Sequence, residues 1–492
     1  MNHVIIIGGG ITGLAAAYHL RQSEPNIAIT LIEKEATLGG KIQTERTDGF
    51  VIEGGPDSFL SRKPRGVGLA REVGLGERLQ GRNSQFSDAF IKRRGRLHPL
   101  PEGITGMVPT NLQALERSEL LSDEGRERWK AEATVPPRLD DGDESIAEFV
   151  TRRLGAEVFQ ELVEPLMVGI YAGDATQLSI QATFPNLRRL EREHGSLVAG
   201  LQYTTANAVA ETLPPFVTLP SGTAELVETL TAHLAPTVEF RLDCAVTSIA
   251  EHTPRPKRPE TDVSPSSIPN PQYLLTLSDT TTVTADALIL ATPAFVTAEL
   301  LGTIDSELGE LHRAIPYASS VIVTLAFADK ARNRVFSENS VSMAGGRGYI
   351  VPTIENTDIL ATTASSNKWY GRAPVGTTLF RVFIGRCGRQ DATTYTDEAL
   401  IERARTELRN TLGITQEPLL TRVHRWQRGM PQYNLGHLER LAAIEVRLEH
   451  HPRLALAGAA YRGVGIPDCI ASGEEAAHRI LTADVRIAHP TL

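Results

Sequence analysis

The chain has 492 residues, of which 41% are hydrophobic and 22% charged, and its formal net charge is −9. That length exceeds one ordinary domain, so two or three are expected, and the composition is that of a globular protein. The negative balance argues against a general nucleic-acid binder. Three scattered cysteines without a CxxC pair supply no metal site by spacing and fit a reducing compartment.

Residues 4–7 (VIII) read as a buried strand, followed by Gly8-Gly9-Gly10-Ile11-Thr12-Gly13 and a small-residue helix. A second apolar strand, 27–32, ends at Glu33, 20 residues after Gly13. This strand–GxGxxG–helix–strand–acid unit is the signature of a dinucleotide site. Gly8 permits the tight turn, Gly10 lets a pyrophosphate approach and Gly13 lets helix and strand pack closely. The helix N-terminus offers N–H groups to the phosphates, and Glu33 an acceptor to a ribose. The first residues lack the basic start and long apolar core of a signal peptide, a strand is read from residue 4, and no apolar run reaches the ~18 residues of a membrane span, so a cytoplasmic protein with at most peripheral membrane contact is expected.

Two further glycine turns follow, Gly39-Gly40-Lys41 and, after a strand at 50–53, Gly54-Gly55-Pro56. Their closeness to the dinucleotide unit suggests backbone lying against a long cofactor. Residues 66–82 read as helical, and 89–101 as a hairpin turning at Gly95. Its cluster Lys92, Arg93, Arg94 and Arg96 reads as a solvated face, with an anionic lipid or substrate as the alternative. Residues 143–236 are mostly helical, with a buried stripe over 154–170 that Pro165 should kink or end. Strands are expected at 237–249, 273–277 and 281–294, around a proline-rich polar stretch at 252–271 that reads as a loose excursion. Segments 320–328, 348–351 and 378–384 are strands for a second sheet. Near the end, strand 454–460 leads through Gly463-Val464-Gly465-Ile466-Pro467 into a helix over 468–482, with Gly473 placed for close packing.

A nicotinamide domain would alternate strands and helices within ~150 residues. Here a helical block intervenes, and the last strand–glycine–helix unit waits for the final 40 residues. A cofactor gripped by both chain ends suits FAD. The sequence contains no second strand–GxGxxG–helix unit, which favours an oxidase over a pyridine-nucleotide reductase.

GGGITGL with Glu33 and the Gly39-Gly40-Lys41 box resembles the amine-oxidase/protoporphyrinogen-oxidase superfamily of FAD enzymes. EGGPDSF (53–59), RLGAEVFQELVEPLMVGIYAGD (153–174), SSNKW with Arg372, RWQRGMPQYNLGH (425–437) and GAAYRGVGIPDCIASG (458–473) resemble its porphyrinogen oxidases, and the GPDSFLSRK run the bacterial branch that forms coproporphyrin. The resemblance covers nearly the whole chain outside the proline-rich stretch. One departure is Thr353, where a basic residue often follows the GY-hydrophobic-hydrophobic-Pro segment.

The resemblance implies an α/β (α+β) fold: a Rossmann-like two-dinucleotide FAD-binding domain (1–80, 215–295 and 425–492), a mostly helical domain (81–214) and a mixed-sheet substrate domain (296–424). FAD would be held by Gly8, Gly9, Gly10, Ile11, Thr12, Gly13, Glu33, Lys34, Gly40 and Lys41, and by Gly55, Pro56, Asp57 and Ser58 along the flavin. Val246 would meet adenine, Trp426 would pack near the cofactor, and Gly465, Ile466 and Pro467 would sit at the flavin pyrimidine edge. Arg62 and Lys63, with Tyr349 and Ile350, would contact substrate, and His437 would support structure. No metal and no catalytic side chain is expected.

The activity so implied is six-electron oxidation of coproporphyrinogen III to coproporphyrin III in haem biosynthesis. It would proceed by hydride transfer to flavin N5, with molecular oxygen as acceptor and peroxide released. The dipole of the C-terminal helix would favour the anionic reduced flavin. Partners would be the porphyrinogen, oxygen and a ferrochelatase. Three alternatives stay open: a protoporphyrinogen IX oxidase, an FAD amine oxidase, and a flavin-bearing scaffold that delivers porphyrin.

Overall fold

The computed structural model describes residues 1–86, 89–105, 107–207, 213–252, 272–329 and 346–488. The proline-rich stretch lies, from residue 253 to 271, outside them.

A five-stranded parallel sheet runs in the order Glu239–Arg241, Ala28–Ile32, His3–Ile7, Ala287–Leu290, Leu454–Leu456. It gathers strands from the start, middle and end of the chain. Its runs are continuously apolar because both faces are covered. Val4, Ile6, Leu31 and Ile289 point into one core and Ile5, Ile7, Ile32, Leu288 and Leu290 into another. Helices Ile11–Ser23 and Ile466–Ala488 cover the first face and pack backbone to backbone. A Cβ on Gly473 would stand 2.2 Å from the Thr12 carbonyl oxygen, so only glycine admits this approach.

A seven-stranded mixed sheet has the order Leu420–Pro431, Tyr317–Ala328, Thr377–Ile384, Ile359–Ala364, Gly348–Ile350, Phe90–Arg93, Arg96–Pro99. It joins all three expected strands at 320–328, 348–351 and 378–384. It also takes in the 90–99 hairpin, through a parallel pairing of Tyr349 with Phe90, and the strand from residue 420. The sheet therefore cuts across the boundaries expected at residues 81 and 425, because strand pairing recruits segments far apart in sequence.

Two local expectations need correction and a third is narrowed. Helix Pro64–Glu72 stops well short of residue 82; Gly74 turns left-handed at φ +84°, and a short 3-10 turn and strand follow. The basic hairpin is not simply solvated: Lys92 meets Glu407 at 2.8 Å, and Arg93 meets Glu161 at 2.7 Å and Glu355 at 3.1 Å, leaving Arg94 and Arg96 exposed. The stripe over 154–170 is buried, but Pro165 does not end it. Phe159–Val163 form a π-helical turn just ahead of helix Glu164–Tyr171, the wider spacing that accommodates a proline without an N–H to donate.

Candidate cofactor and substrate site

The glycine turn Gly8–Gly13 lies where the central strand meets the N-terminal helix. Gly8 has φ +109°, and a Cβ on Gly13 would stand 2.0 Å from the Gly8 carbonyl oxygen. A Cβ on Gly10 would meet nothing within 4 Å, so this side of the turn is open. No side chain caps the helix and no acid occupies its first turn, which leaves its N–H groups and positive end free for an anion. The carboxylate of Glu33 accepts the Gly9 N–H at 2.6 Å and the Glu35 N–H at 3.0 Å, tying the acid to the turn. Lys34 instead pairs with Glu35 at the surface. The 241–246 segment runs beside Glu33: its backbone donates from Cys244 to the Glu33 carbonyl, and Val246 is half-buried just beyond.

The second box abuts the first. The Gly39 N–H donates to the Gly9 carbonyl at 2.8 Å, and a Cβ on Gly40 would stand 3.3 Å from the Gly10 Cα. Lys41 is open to this trough yet walled by protein; that enclosure pushes its ammonium pKa down, with the Cys469 thiol opposing. It has no carboxylate partner among the described residues. An open glycine turn, uncapped helix N–H groups and an unpaired cation in one trough fit the pyrophosphate of an extended dinucleotide.

The Gly55–Ser58 turn packs directly against the Lys41 backbone. A Cβ on Gly55 would stand 1.9 Å from the Lys41 carbonyl oxygen, and Trp426 donates its indole N–H to the Gly54 carbonyl at 2.8 Å. Ser58 donates to Asp57 at 2.8 Å, and the Pro56 carbonyl accepts from Thr223. A charged cluster that the sequence reading missed fixes this turn. Lys368 Nζ donates to both oxygens of Asp57 at 2.9 Å, the Trp369 indole donates at 3.2 Å, and Arg381 lies 3.4 Å away while also donating to the Gly55 carbonyl. Beside it, Glu53 accepts from Thr44 and the Thr223 N–H, and Arg372 lies 3.3 Å away. Glu53, Asp57, Arg372 and Arg381 are all buried. Burial pushes the Asp57 carboxyl up, but the Lys368 and Arg381 charges together hold it well below the usual carboxylate range. A lone arginine in the otherwise uncharged, mostly apolar run TTLFRVFI was the signal in the sequence, since such a charge needs a buried partner.

The other chain end reaches the same place. A Cβ on Gly66 would stand 2.8 Å from the Pro467 ring, and the Gly458 N–H donates to Ser472. Ile466 is buried at the start of the C-terminal helix, and the Gly465 N–H donates to Asp468 at 3.2 Å. This carboxylate in the first turn offsets the positive helix end expected to favour a reduced flavin. Lys63 pairs with Asp468, whereas Arg62 is exposed with no partner among the described residues. Tyr433 accepts the Gly463 N–H at 2.8 Å, donates to the Ala459 carbonyl and stacks on His437 at 4.3 Å. His437, fully buried, reaches the Tyr461 carbonyl at 2.9 Å, a structural part.

The structure thus brings the glycine turn, Glu33, Lys41, 55–58, Trp426, 465–467 and Lys63 together. It does not bring Tyr349 with them. That side chain is buried in the core of the mixed sheet and donates to Glu407 at 3.0 Å. Its neighbour Ile350 is half-buried. Thr353, the departure from the family pattern, is held by Glu164 and accepts from Arg386 at 2.6 Å. A guanidinium from residue 386 thereby stands beside the position where the chain itself lacks a basic residue. Among the described residues no group of three His, Cys, Asp or Glu is arranged to hold a metal, and no helix is long and apolar enough to cross a membrane.

Residues 11–481 match the flavin-containing amine oxidoreductases. A coproporphyrinogen III oxidase of Bacillus subtilis (strain 168) is 34% identical over 491 residues, covering 98% of each chain. The chloroplastic protoporphyrinogen oxidase 1 of Spinacia oleracea is 28% identical, covering 97% of this chain and 84% of that one. A crystal structure from Exiguobacterium sp. 255-15, named provisionally as a protoporphyrinogen oxidase, superposes with a TM-score of 0.81 at 33% identity, over 97% of this chain and 98% of that one.

Proposed function

The chain belongs to the flavin-containing amine oxidoreductase family, and on that premise we propose that it oxidises coproporphyrinogen III to coproporphyrin III. It is an FAD-dependent oxidase. The observation that carries the substrate is the likeness, over 98% of each chain at 34% identity, to the Bacillus subtilis coproporphyrinogen III oxidase. The Spinacia oleracea relative keeps protoporphyrinogen IX as the second reading.

The N–H groups at the Gly10 end of the N-terminal helix and the Lys41 ammonium would neutralise the cofactor pyrophosphate. Glu33 would accept from the adenosine ribose, with Val246 beside the adenine. The 55–58 turn and Trp426 would hold the flavin on one side and Gly465–Pro467 its pyrimidine edge. When bound, the flavin supplies two-electron oxidation at saturated carbon; the chain supplies position and field. Arg62 and Lys63 would meet substrate propionates, and Ile350 would line the slot for the apolar disc. Each round would end with electrons passed to molecular oxygen and release of peroxide, consistent with a sequence lacking a second dinucleotide unit. A ferrochelatase would take the oxidised product, and any contact with a membrane would be peripheral.

The test is anaerobic mixing of the holoenzyme with coproporphyrinogen III, protoporphyrinogen IX or a primary amine. Loss of the oxidised-flavin absorbance should be fastest with coproporphyrinogen III. Bleaching by the amine alone would overturn the reading.

A further inference from the structure

Lys63 Nζ lies 2.7 and 2.6 Å from the two carboxylate oxygens of Asp468. The partners are unequally held. The Lys63 side chain is 44% exposed and the Asp468 side chain 18%. Asp468 also accepts the Gly465 N–H at 3.2 Å from the first turn of the C-terminal helix. The loop before it wraps the carboxylate: Gly463 has φ +144°, and a Cβ there would stand 2.5 Å from the Asp468 Cγ. The lysine is the partner able to move. Other cations nearby are differently committed. Arg65 is engaged by Glu474 and, at 3.0 Å, by Glu72, while Arg62 is exposed.

We propose that Asp468 is a specificity-determining counter-anion, a carboxylate of the chain that occupies Lys63 until a substrate carboxylate displaces it. The proposal rests on the reading of this site as one for a porphyrinogen polycarboxylate. Exchange of one carboxylate for another on Lys63 yields little net attraction, so a weakly anionic ligand gains nothing there. A ligand with several carboxylates engages Arg62 as well and can complete the exchange. Asp468 meanwhile stays on the helix terminus, so the loop is not disturbed.

The test compares wild type, Asp468→Asn, Lys63→Gln and the double variant as holoenzymes. Asparagine keeps an oxygen acceptor for the Gly465 N–H from the third position of the helix. Asp468→Ser serves as a second neutral variant, and flavin content reports folding. The probes are coproporphyrin III and its uncharged tetra-amide, titrated by fluorescence at low and high salt. Asp468→Asn should bind the tetracarboxylate about two- to fivefold more tightly, the size a half-exposed ion pair carries. The gain should be absent with the tetra-amide, shrink in salt and vanish in the double variant. An unchanged or weaker tetracarboxylate affinity, an equal gain with the tetra-amide, or a gain that survives Lys63→Gln would each overturn the proposal. A wild type that binds neither probe would instead overturn the functional reading beneath it.

Discussion

Lys368 Nζ lies 2.9 Å from both carboxylate oxygens of Asp57, joining the short helix after one strand of the mixed sheet to the Gly55–Ser58 turn. With the Trp369 indole and the Arg381 guanidinium added, one carboxylate gathers two hydrogen-bond donors from the end of that short helix and a cation from a strand of the mixed sheet. The 55–58 turn is thereby tied to the mixed sheet.

Asp57→Asn should therefore cost about 3–5 kcal/mol, because the buried Arg381 would lose its principal counter-charge and keep only Glu53. Urea denaturation of the holoenzyme checks this; a loss under ~1 kcal/mol would mean the cluster relaxes into solvent. The pH dependence has a definite sign. Lys368 and Arg381 depress the folded carboxyl against the opposing effect of burial. Its stabilisation is complete above the unfolded value near pH ~4 and fades as pH falls below that. Asp57→Asn should flatten the fall of stability in this acid range, leaving the slope near neutrality unchanged.

Glu33→Ala removes an acceptor from the Gly9 N–H as well as from a bound ribose. Loss of such a charged acceptor is worth about 1–3 kcal/mol, so FAD affinity should fall roughly tenfold to a hundredfold. Purification should yield protein with little bound flavin, recoverable by added FAD. Flavin absorbance like that of wild type would remove the acid from the cofactor site.

Gly473→Ala tests the contact between the two chain ends. The new methyl group would meet the Thr12 carbonyl oxygen at 2.2 Å and the Ala16 nitrogen at 3.1 Å. The helices must separate, at a cost of about 1–3 kcal/mol. Calorimetry should show a lowered Tm, and FAD should be held less tightly because Thr12 lies in the first turn of the cradle.

Tyr349→Phe separates a packing role from a substrate role. The hydroxyl reaches Glu407, which also pairs with Lys92. Removing it should cost about 1 kcal/mol of stability and leave KM for the porphyrinogen unchanged. A raised KM with intact stability would return Tyr349 to the substrate wall.

The amino-acid sequence by itself determined the dinucleotide unit, the hairpin about Gly95, the strands of the parallel sheet, the mixed-sheet strands other than Ile359–Ala364 and Leu420–Pro431, and the final strand–glycine–helix piece. These rest on short-range physics: apolar runs, glycine turns and helix starts act within ~20 residues of themselves. Only the tertiary structure decided that Asp57 answers to Lys368 and Arg381, that Asp468 holds Lys63, that Arg386 stands beside Thr353 and that Tyr349 faces the core. Each joins residues from tens to hundreds of positions apart. A charge in a sequence shows that it needs a counter-charge, but not which one, because that choice is made by whichever segments the sheets bring within a few ångströms after burial has removed the water between them.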